Sequence, residues 1–589
     1  MNKLRLALSL CLIFVIVFAT FLPFLKNGFV NWDDDRYVTE NTIIRSLSLN
    51  NIKDIFTSFY LGHYHPITML SYLFEYQLFK LNPFGYHLNN LILHLLNCLL
   101  VFWLIFILTG SISISLLTAI LFGIHPLQVE SVAWISERKN VLYAFFFLGA
   151  VISYLCYFRR GRKLKYYFLC LSLFILSLLS KSMAVTLPLV LFLMDYLFRR
   201  KADKTMFVEK IPFFVLSLIF GIIAIFGVHS SGAIRQESTC SLLSILIVAS
   251  YGIVFYLSRI FLPFKLSCLY PYYGTGNIFF LYSMITVVIL TIGVIISARH
   301  TRKVIFGSAL FLCALLPALQ FIPNGEIIVA DRYGYIASIG IFYILAEAIF
   351  WLFSSKIKHN RFKQAILLIA LILIAGVLVS VTWKRCRVWR DSLSLWSDVL
   401  NKYPNVATAY NSRGAEYLAK KEYAKAYADF MSALSIDQNY YEAYFNLGSL
   451  YSSKGDYNEA VKLINKTLQI NPGYLKAYDM LATIYGLTGK HSEVISICKK
   501  VIQIKHDYVQ AYINLCSAYG NLGNFQEAIA YGEKAIAINP ISALAHMNLS
   551  AAYFYTKKYN LAIKHCDRAV ALGYKVCPKF LEELKIYRK

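Results

Sequence analysis

At 589 residues the chain is long enough for several domains, and 58% of it is hydrophobic, with a mean hydropathy of +0.55. That excludes an ordinary soluble protein and places most of the chain in lipid. The net charge of +26 does not mark a nucleic-acid binder, because the basic residues form short clusters at 159–163, 199–201, 299–303 and 356–363, between apolar stretches. This is the pattern of cytoplasmic loops under the positive-inside rule. The cysteines are scattered without a CxxC pair, which argues against a disulfide framework or a zinc site.

Residues 5–25 resemble a signal sequence, but no small-x-small cleavage site follows, so they are taken as an uncleaved first span. Directly after it the chain reads Phe29-Val30-Asn31-Trp32-Asp33-Asp34-Asp35-Arg36-Tyr37. Adjacent carboxylates repel, most strongly where the dielectric is low. Either the run opens a solvated loop that keeps the span from sliding, or it supplies a catalytic or metal-binding carboxylate to a membrane-embedded site. The same loop carries His63-Tyr64-His65-Pro66, Glu75 and Tyr86-His87. Asn90, His94 and Asn97 then share one face of the next span, as site groups or as hydrogen-bonding partners between helices.

The segment from His125-Pro126 to Asn140 includes Glu130, Trp134 and Arg138-Lys139, a mixture that suits an interfacial amphipathic helix. An outward Arg-Lys pair breaks the charge rule unless it holds a lipid phosphate. Lys181 lies between two short apolar arms, and Arg332 stands in Ala330-Asp331-Arg332-Tyr333. Each is an ordinary snorkelling cation or, with the acidic run, part of a site for a phosphorylated lipid.

Twelve apolar stretches are visible, at 5–25, 88–108, 112–124, 141–158, 166–180, 183–198, 211–229, 242–262, 278–297, 304–322, 336–354 and 363–382. Twelve crossings would put the basic clusters at 299–303 and 356–363 outside. Eleven resolve the conflict if 242–262, which contains Ser250, Gly252 and Arg259 and precedes Pro263, lies at the interface or re-enters. The amino terminus is then cytoplasmic, and the loops 26–87, 125–140, 263–277 and 323–335 face outward with the C-terminal half.

After residue 382 the period changes. Ala409, Ala443, Ala477, Ala511 and Ala545 recur every 34 residues, as do Tyr417, Tyr451, Tyr485, Tyr519 and Tyr553. In the copy that begins at Tyr441, the residues Tyr444, Leu447, Gly448, Tyr451, Ala460 and Pro472 occupy tetratricopeptide positions. The expected fold class is all-α: a polytopic membrane domain over 1–382, a partial repeat with its connection at 383–406, five repeats at 407–576 and a capping helix at 577–589. Such solenoids bind extended peptides or proteins, or stack as an assembly scaffold. No Walker, dinucleotide-binding, HExxH or GxSxG motif is present. A transporter is disfavoured because the polar groups cluster in loops and no inverted repeat is visible.

Several elements together resemble the transmembrane and tetratricopeptide repeat-containing O-mannosyltransferases and their bacterial relatives, within the GT-C glycosyltransferase superfamily. They are Phe29-Val30-Asn31-Trp32-Asp33-Asp34, Tyr37-Val38-Thr39-Glu40-Asn41, His125-Pro126 with Glu130-Ser131-Val132-Ala133, and Asp331-Arg332-Tyr333 before a span. The resemblance implies a GT-C-like membrane domain that uses a polyprenyl- or dolichyl-phosphate sugar, typically mannose, on the outer or lumenal face. It places the catalytic acidic pair at Asp33 and Asp34, with Asp35 at a position the family lets vary. It departs at His65 before Pro66, where eukaryotic members often carry Arg, and near Arg138-Lys139-Asn140, where they often show Arg-Ala-Glu.

The function expected is sugar transfer to Ser or Thr hydroxyls of a protein held by the repeats. Asp33 or Asp34 serves as base, and cations among Arg138, Lys139, Lys181 and Arg332 meet the donor phosphate. His65, His87, His125 and Glu130 are further candidates. No metal ligands are assigned, and a divalent-metal requirement is left open. The expected location is a bacterial inner membrane with the repeats outside the cytoplasm, or the endoplasmic reticulum in a eukaryote. The chief rival is a non-enzymatic anchor that presents a repeat scaffold; export or flipping of a lipid-linked precursor would leave the repeats without a task.

Overall fold

The computed structural model describes residues 3–230, 242–271, 278–321, 327–356, 358 and 360–588. It divides into two compact units, Met1–Pro404 and Asn405–Lys589. Both are built from helices, and among the described residues the single β-bridge joins Tyr60 and His63.

In the first unit the helix Lys3–Phe21 ends where Pro23 enters a 3-10 turn, Leu22–Lys26. The chain that follows forms a small cap. Its short helix Leu49–Thr57 starts at Ser48, whose hydroxyl accepts from the Asn51 amide at 3.1 Å. The helix Pro66–Phe79 begins directly on a proline. Tyr37, Val38, Ile44, Ile55, Met69, Tyr72 and Leu73 bury their side chains together here, with Tyr86 and Ile135. This apolar knot fixes the acidic run over the membrane helices.

Asn90, His94 and Asn97 are fully buried on the helix Pro83–Thr109 and bond to neighbouring segments. Asn90 donates to the carbonyls of Val132 and Trp134, Asn97 donates to the Val141 carbonyl, and His94 pairs with the Tyr335 hydroxyl at 2.7 Å. Of the two alternatives for these residues, hydrogen bonding between helices is the one the structure adopts. The helices Ile112–Ile124 and Pro126–Ala133 meet at a 54° bend. The bend falls at His125, extended because a proline follows it.

Eight helices among the described residues are long and apolar enough to cross a membrane, and nine if the bent pair counts as one. The chain is a multi-pass membrane protein. Three apolar stretches expected to cross form shorter helices, Leu164–Ser180, Ser182–Leu197 and Arg302–Leu315. Residues 242–262 depart from expectation in the other direction. They form one unbroken 20-residue helix, Leu242–Phe261, that qualifies as a full span. Ser250 and Gly252 do not interrupt it, since a lipid-embedded backbone has no better partner than its own helix. Arg259 falls in its last turn, where a cation meets the negative end of the helix dipole, and donates to the Phe264 carbonyl. Parts of the two outward loops expected after this helix, 272–277 and 323–326, lie outside the described residues, as do residues 357 and 359 of the last basic cluster.

The helices Arg302–Leu315 and Gly334–Trp351 cross with their backbones in contact. A Cβ on Gly340 would stand 2.2 Å from the Gly307 carbonyl oxygen, so only glycine fits.

The segment read as a partial repeat contributes its helix, Ser392–Lys402, to the first unit. There the buried Trp396 donates its indole N–H to Asn31 at 2.6 Å, and the Asn31 amide donates to Ser392 at 3.0 Å. These bonds brace the loop two residues before Asp33.

The second unit is five helix pairs followed by Pro578–Lys585, in the region expected to cap the array. Ala409, Ala443, Ala477, Ala511 and Ala545 are buried, as their role in close helix approach requires. The turn inside each pair needs a left-handed residue. Gly455, Gly489 and Gly523 supply it at φ of +84°, +73° and +77°, whereas the first and last repeats place Lys421 and Lys557 there.

Candidate active site

A cavity of about 710 Å³ lies in the first unit. Its polar lining includes Asp33, Arg36, His63, His65, Glu137, Lys139, Lys181 and Arg332. Its apolar lining includes Leu189, Ala224, Ile225, Val228, Leu316 and Phe321.

Asp33 and Asp34 have different surroundings although they are adjacent. Asp33 has φ of +69°, a left-handed conformation that aspartate tolerates better than most residues, and it lines the cavity. Asp34 is turned into the protein, 1% exposed. Its carboxylate accepts from the Val30 amide at 3.0 Å, from the Ser136 amide at 2.9 Å and from the Ser136 hydroxyl. Burial pushes Asp34 up to about 7 against those three donors. Burial also raises Asp33, and Lys139, Arg36 and Arg332 pull it back down. Asp35 is not among the residues lining the cavity; its carbonyl accepts from Glu40 at 2.7 Å.

Lys139, Lys181 and Arg332 converge on Glu137. Lys181 donates to its Oε2 at 3.0 Å, while Lys139 and Arg332 approach Oε1 at 3.3 and 3.5 Å. Lys139 also lies over the Tyr37 ring at 4.8 Å, and the Arg332 guanidinium over Trp134 at 5.4 Å. These contacts hold the flexible side chains in place.

Arg138 is a correction. Expected to meet a phosphate beside Lys139, it is fully buried and absent from the cavity lining. It pairs with Glu75 and donates to Asn90 and to the Tyr86 carbonyl. The cause is helical: both residues begin the helix Arg138–Arg159, and successive helical side chains diverge by about 100°. One faces the cavity and the other the cap.

Three more candidates have structural partners. His125 bonds to the Ile260 carbonyl at 3.0 Å and accepts from the Leu127 amide, capping the bend. His87 is buried edge-on against Phe24, away from the cavity. Glu130 does not line the cavity but bonds to Arg332 at 2.6 Å from behind and accepts from its amide at 3.0 Å.

His65 does line the cavity, and so does His63, which the list of candidates lacked. His63 closes the tight turn through Leu61 and Gly62, both with positive φ, and burial lowers its pKa to about 4. Burial lowers His65 as well, and the nearby lysines add to the effect. Glu137 was also missed. It stood in the sequence beside the two basic residues that drew attention, but its link to Lys181 and Arg332 has no local signal. Among the described residues no group of three or more His, Cys, Asp or Glu is arranged to hold a metal ion.

Comparisons with known proteins bear on both halves. Tetratricopeptide repeat models match residues 407–440, 441–474 and 509–541. The chain is 26% identical over 460 residues to the protein O-mannosyl-transferase F38B6.6 of Caenorhabditis elegans, covering 72% of this chain and 63% of that protein. It is 36% identical over 111 residues to the protein O-mannosyl-transferase Tmtc3 of Drosophila melanogaster, covering 15% and 12%. The chain thus spans less than two thirds of these relatives' length. Among solved structures it is similar to YrrB, a tetratricopeptide repeat protein, at 20% identity and a TM-score of 0.26, covering 30% of this chain and 92% of that one. With the repeats and the membrane half in the same molecule, the chain is similar to the protein O-mannosyl-transferases over most of its length, and its second unit is a tetratricopeptide repeat array.

Proposed function

We propose that the chain is a GT-C-type glycosyltransferase that moves a sugar, mannose by family, from a polyprenyl- or dolichyl-phosphate donor to a Ser or Thr hydroxyl of a protein. The observation that carries this is the make-up of one cavity: its lining joins the Asp33 carboxylate and three cations that converge on Glu137 with a large set of apolar side chains. A lipid-linked sugar phosphate likewise joins an apolar prenyl chain to a phosphate and a sugar.

Asp33 takes the proton of the acceptor hydroxyl as its oxygen attacks the anomeric carbon. The bond from that carbon to the phosphate oxygen breaks, and its electron pair leaves with the lipid phosphate. Lys139, Lys181 and Arg332 stabilise the charge that grows there. Glu130 and Glu137 hold those cations, and Asp34 anchors the loop that presents Asp33. Inversion at the anomeric carbon follows from a single displacement. The repeats hold the acceptor polypeptide and raise its effective concentration. The transfer takes place on the outward face of the membrane, with the repeats on that side.

Membranes supplied with labelled polyprenyl-phosphate mannose test the donor site. Lys181→Ala is expected to raise the donor KM by about 10–100-fold, the weight of one charge-assisted hydrogen bond, with a smaller change in kcat. An unchanged KM would remove Lys181 from the donor site. Protease added to sealed cells is expected to digest the repeats; complete protection would put them in the cytoplasm and break the link between acceptor binding and chemistry.

A further inference from the structure

Glu137 poses a question that phosphate binding alone does not answer. It is 2% exposed, lines the cavity, and touches three of the cations that line it, Lys139, Lys181 and Arg332. A carboxylate in that place competes with any anion that enters. If the site needed only to bind phosphate tightly, an acceptor without charge would orient the same amines at no electrostatic cost. Glu130 already compensates Arg332 from outside the cavity, and Asn140 accepts a second bond from Lys181 at 3.0 Å. The cations therefore have other anchors.

The charges explain the arrangement. Four cations, Arg36, Lys139, Lys181 and Arg332, line the cavity with the carboxylates of Asp33 and Glu137, and Glu130 pairs with Arg332 from behind, which leaves one positive charge unmatched. Lipid-linked sugars come in two chemical classes. One is a phosphodiester with a single negative charge; the other is a diphosphate diester with two. One unmatched charge suits the first class, and removing Glu137 would leave two and suit the second.

We propose that Glu137 is a positioning residue that sets donor specificity, admitting a lipid monophosphate sugar and disfavouring the diphosphate. This rests on the donor-binding reading of the cavity given above. Glu137 touches no reacting atom. It acts through the three cations, by limiting their net charge and by holding them around one point.

The test uses the full-length protein in lipid nanodiscs, with farnesyl-phosphoryl mannose and farnesyl-diphosphoryl mannose as probes and their dissociation constants read by calorimetry. The wild type is expected to prefer the monophosphate. Glu137→Gln is expected to move the affinity ratio toward the diphosphate by about tenfold or more, the weight of one buried charge. Glu137→Asp keeps the charge and is expected to keep the wild-type ratio while weakening both probes. A merely structural role would weaken both probes in Glu137→Gln and leave their ratio unmoved, and that result overturns the proposal. A shifted ratio in Glu137→Asp overturns it too, and this variant decides the matter if Glu137→Gln does not fold. A wild type that binds neither probe overturns the donor reading itself, whereas one that binds both with equal affinity overturns only the role given to Glu137.

Discussion

Replacing Asp33 with asparagine is expected to slow sugar transfer by about 10²–10⁴-fold, the usual weight of a general base, with donor binding nearly intact. Asparagine keeps the size of the side chain and tolerates the left-handed backbone at this position. Only the proton acceptor is lost. Transfer of labelled mannose checks this, and a variant that retains wild-type kcat would remove Asp33 from the chemistry. Asp34→Asn is the comparator. Its three hydrogen-bond donors would meet an amide that can satisfy fewer of them, so it is expected to lose about 1–3 kcal/mol of stability.

The pH dependence follows from the same geometry. The base works deprotonated, so kcat/KM rises as pH passes upward through the pKa of Asp33. Burial raises that pKa, and Lys139 is the largest of the opposing influences. Lys139→Met removes the opposing charge, so the ascending limb is expected to move to higher pH. A limb that stays in place would show that Lys139 does not act on Asp33.

The second large effect concerns Arg138. Arg138→Met removes one partner of a buried ion pair and leaves the Glu75 carboxylate without its cation. The expected loss is about 3–5 kcal/mol, seen as a lower unfolding temperature in detergent and reduced yield. Adding Glu75→Gln removes the orphaned charge and is expected to recover part of that loss. Whatever folded Arg138→Met remains is expected to keep the wild-type donor KM. A stable variant with a raised KM would return Arg138 to the donor site, where the sequence had placed it.

Arg138 and Lys139 show what a sequence reading can and cannot reach. They form one motif in the chain, yet a single step along a helix sends one to Glu75 and the other to Glu137. Asp33 and Asp34 divide in the same way, through one left-handed residue that nothing in the acidic run announces. The segment 242–262 is unbroken for another reason. Ser250, Gly252 and Arg259 look like interruptions by residue type, but a helix in lipid tolerates small residues inside it and a cation at its end. The histidines divided by context as well: His65 faces the cavity while His87 and His125 are packed or bonded elsewhere, and isolated imidazoles carry no periodicity to tell them apart.

By itself the sequence determined the all-α class, the membrane half, the 34-residue solenoid and a cluster of polar residues between apolar stretches. Each of these is a matter of composition or of period, which local physics imposes on every copy of the pattern. Only the tertiary structure decided that Asp33 and not Asp34 faces the cavity, that Arg138 is a strut, and that Glu137 gathers Lys139, Lys181 and Arg332 around one point. Those outcomes depend on which way a side chain turns and on contacts nearly 200 residues apart, as between Glu137 and Arg332, and no local pattern encodes either.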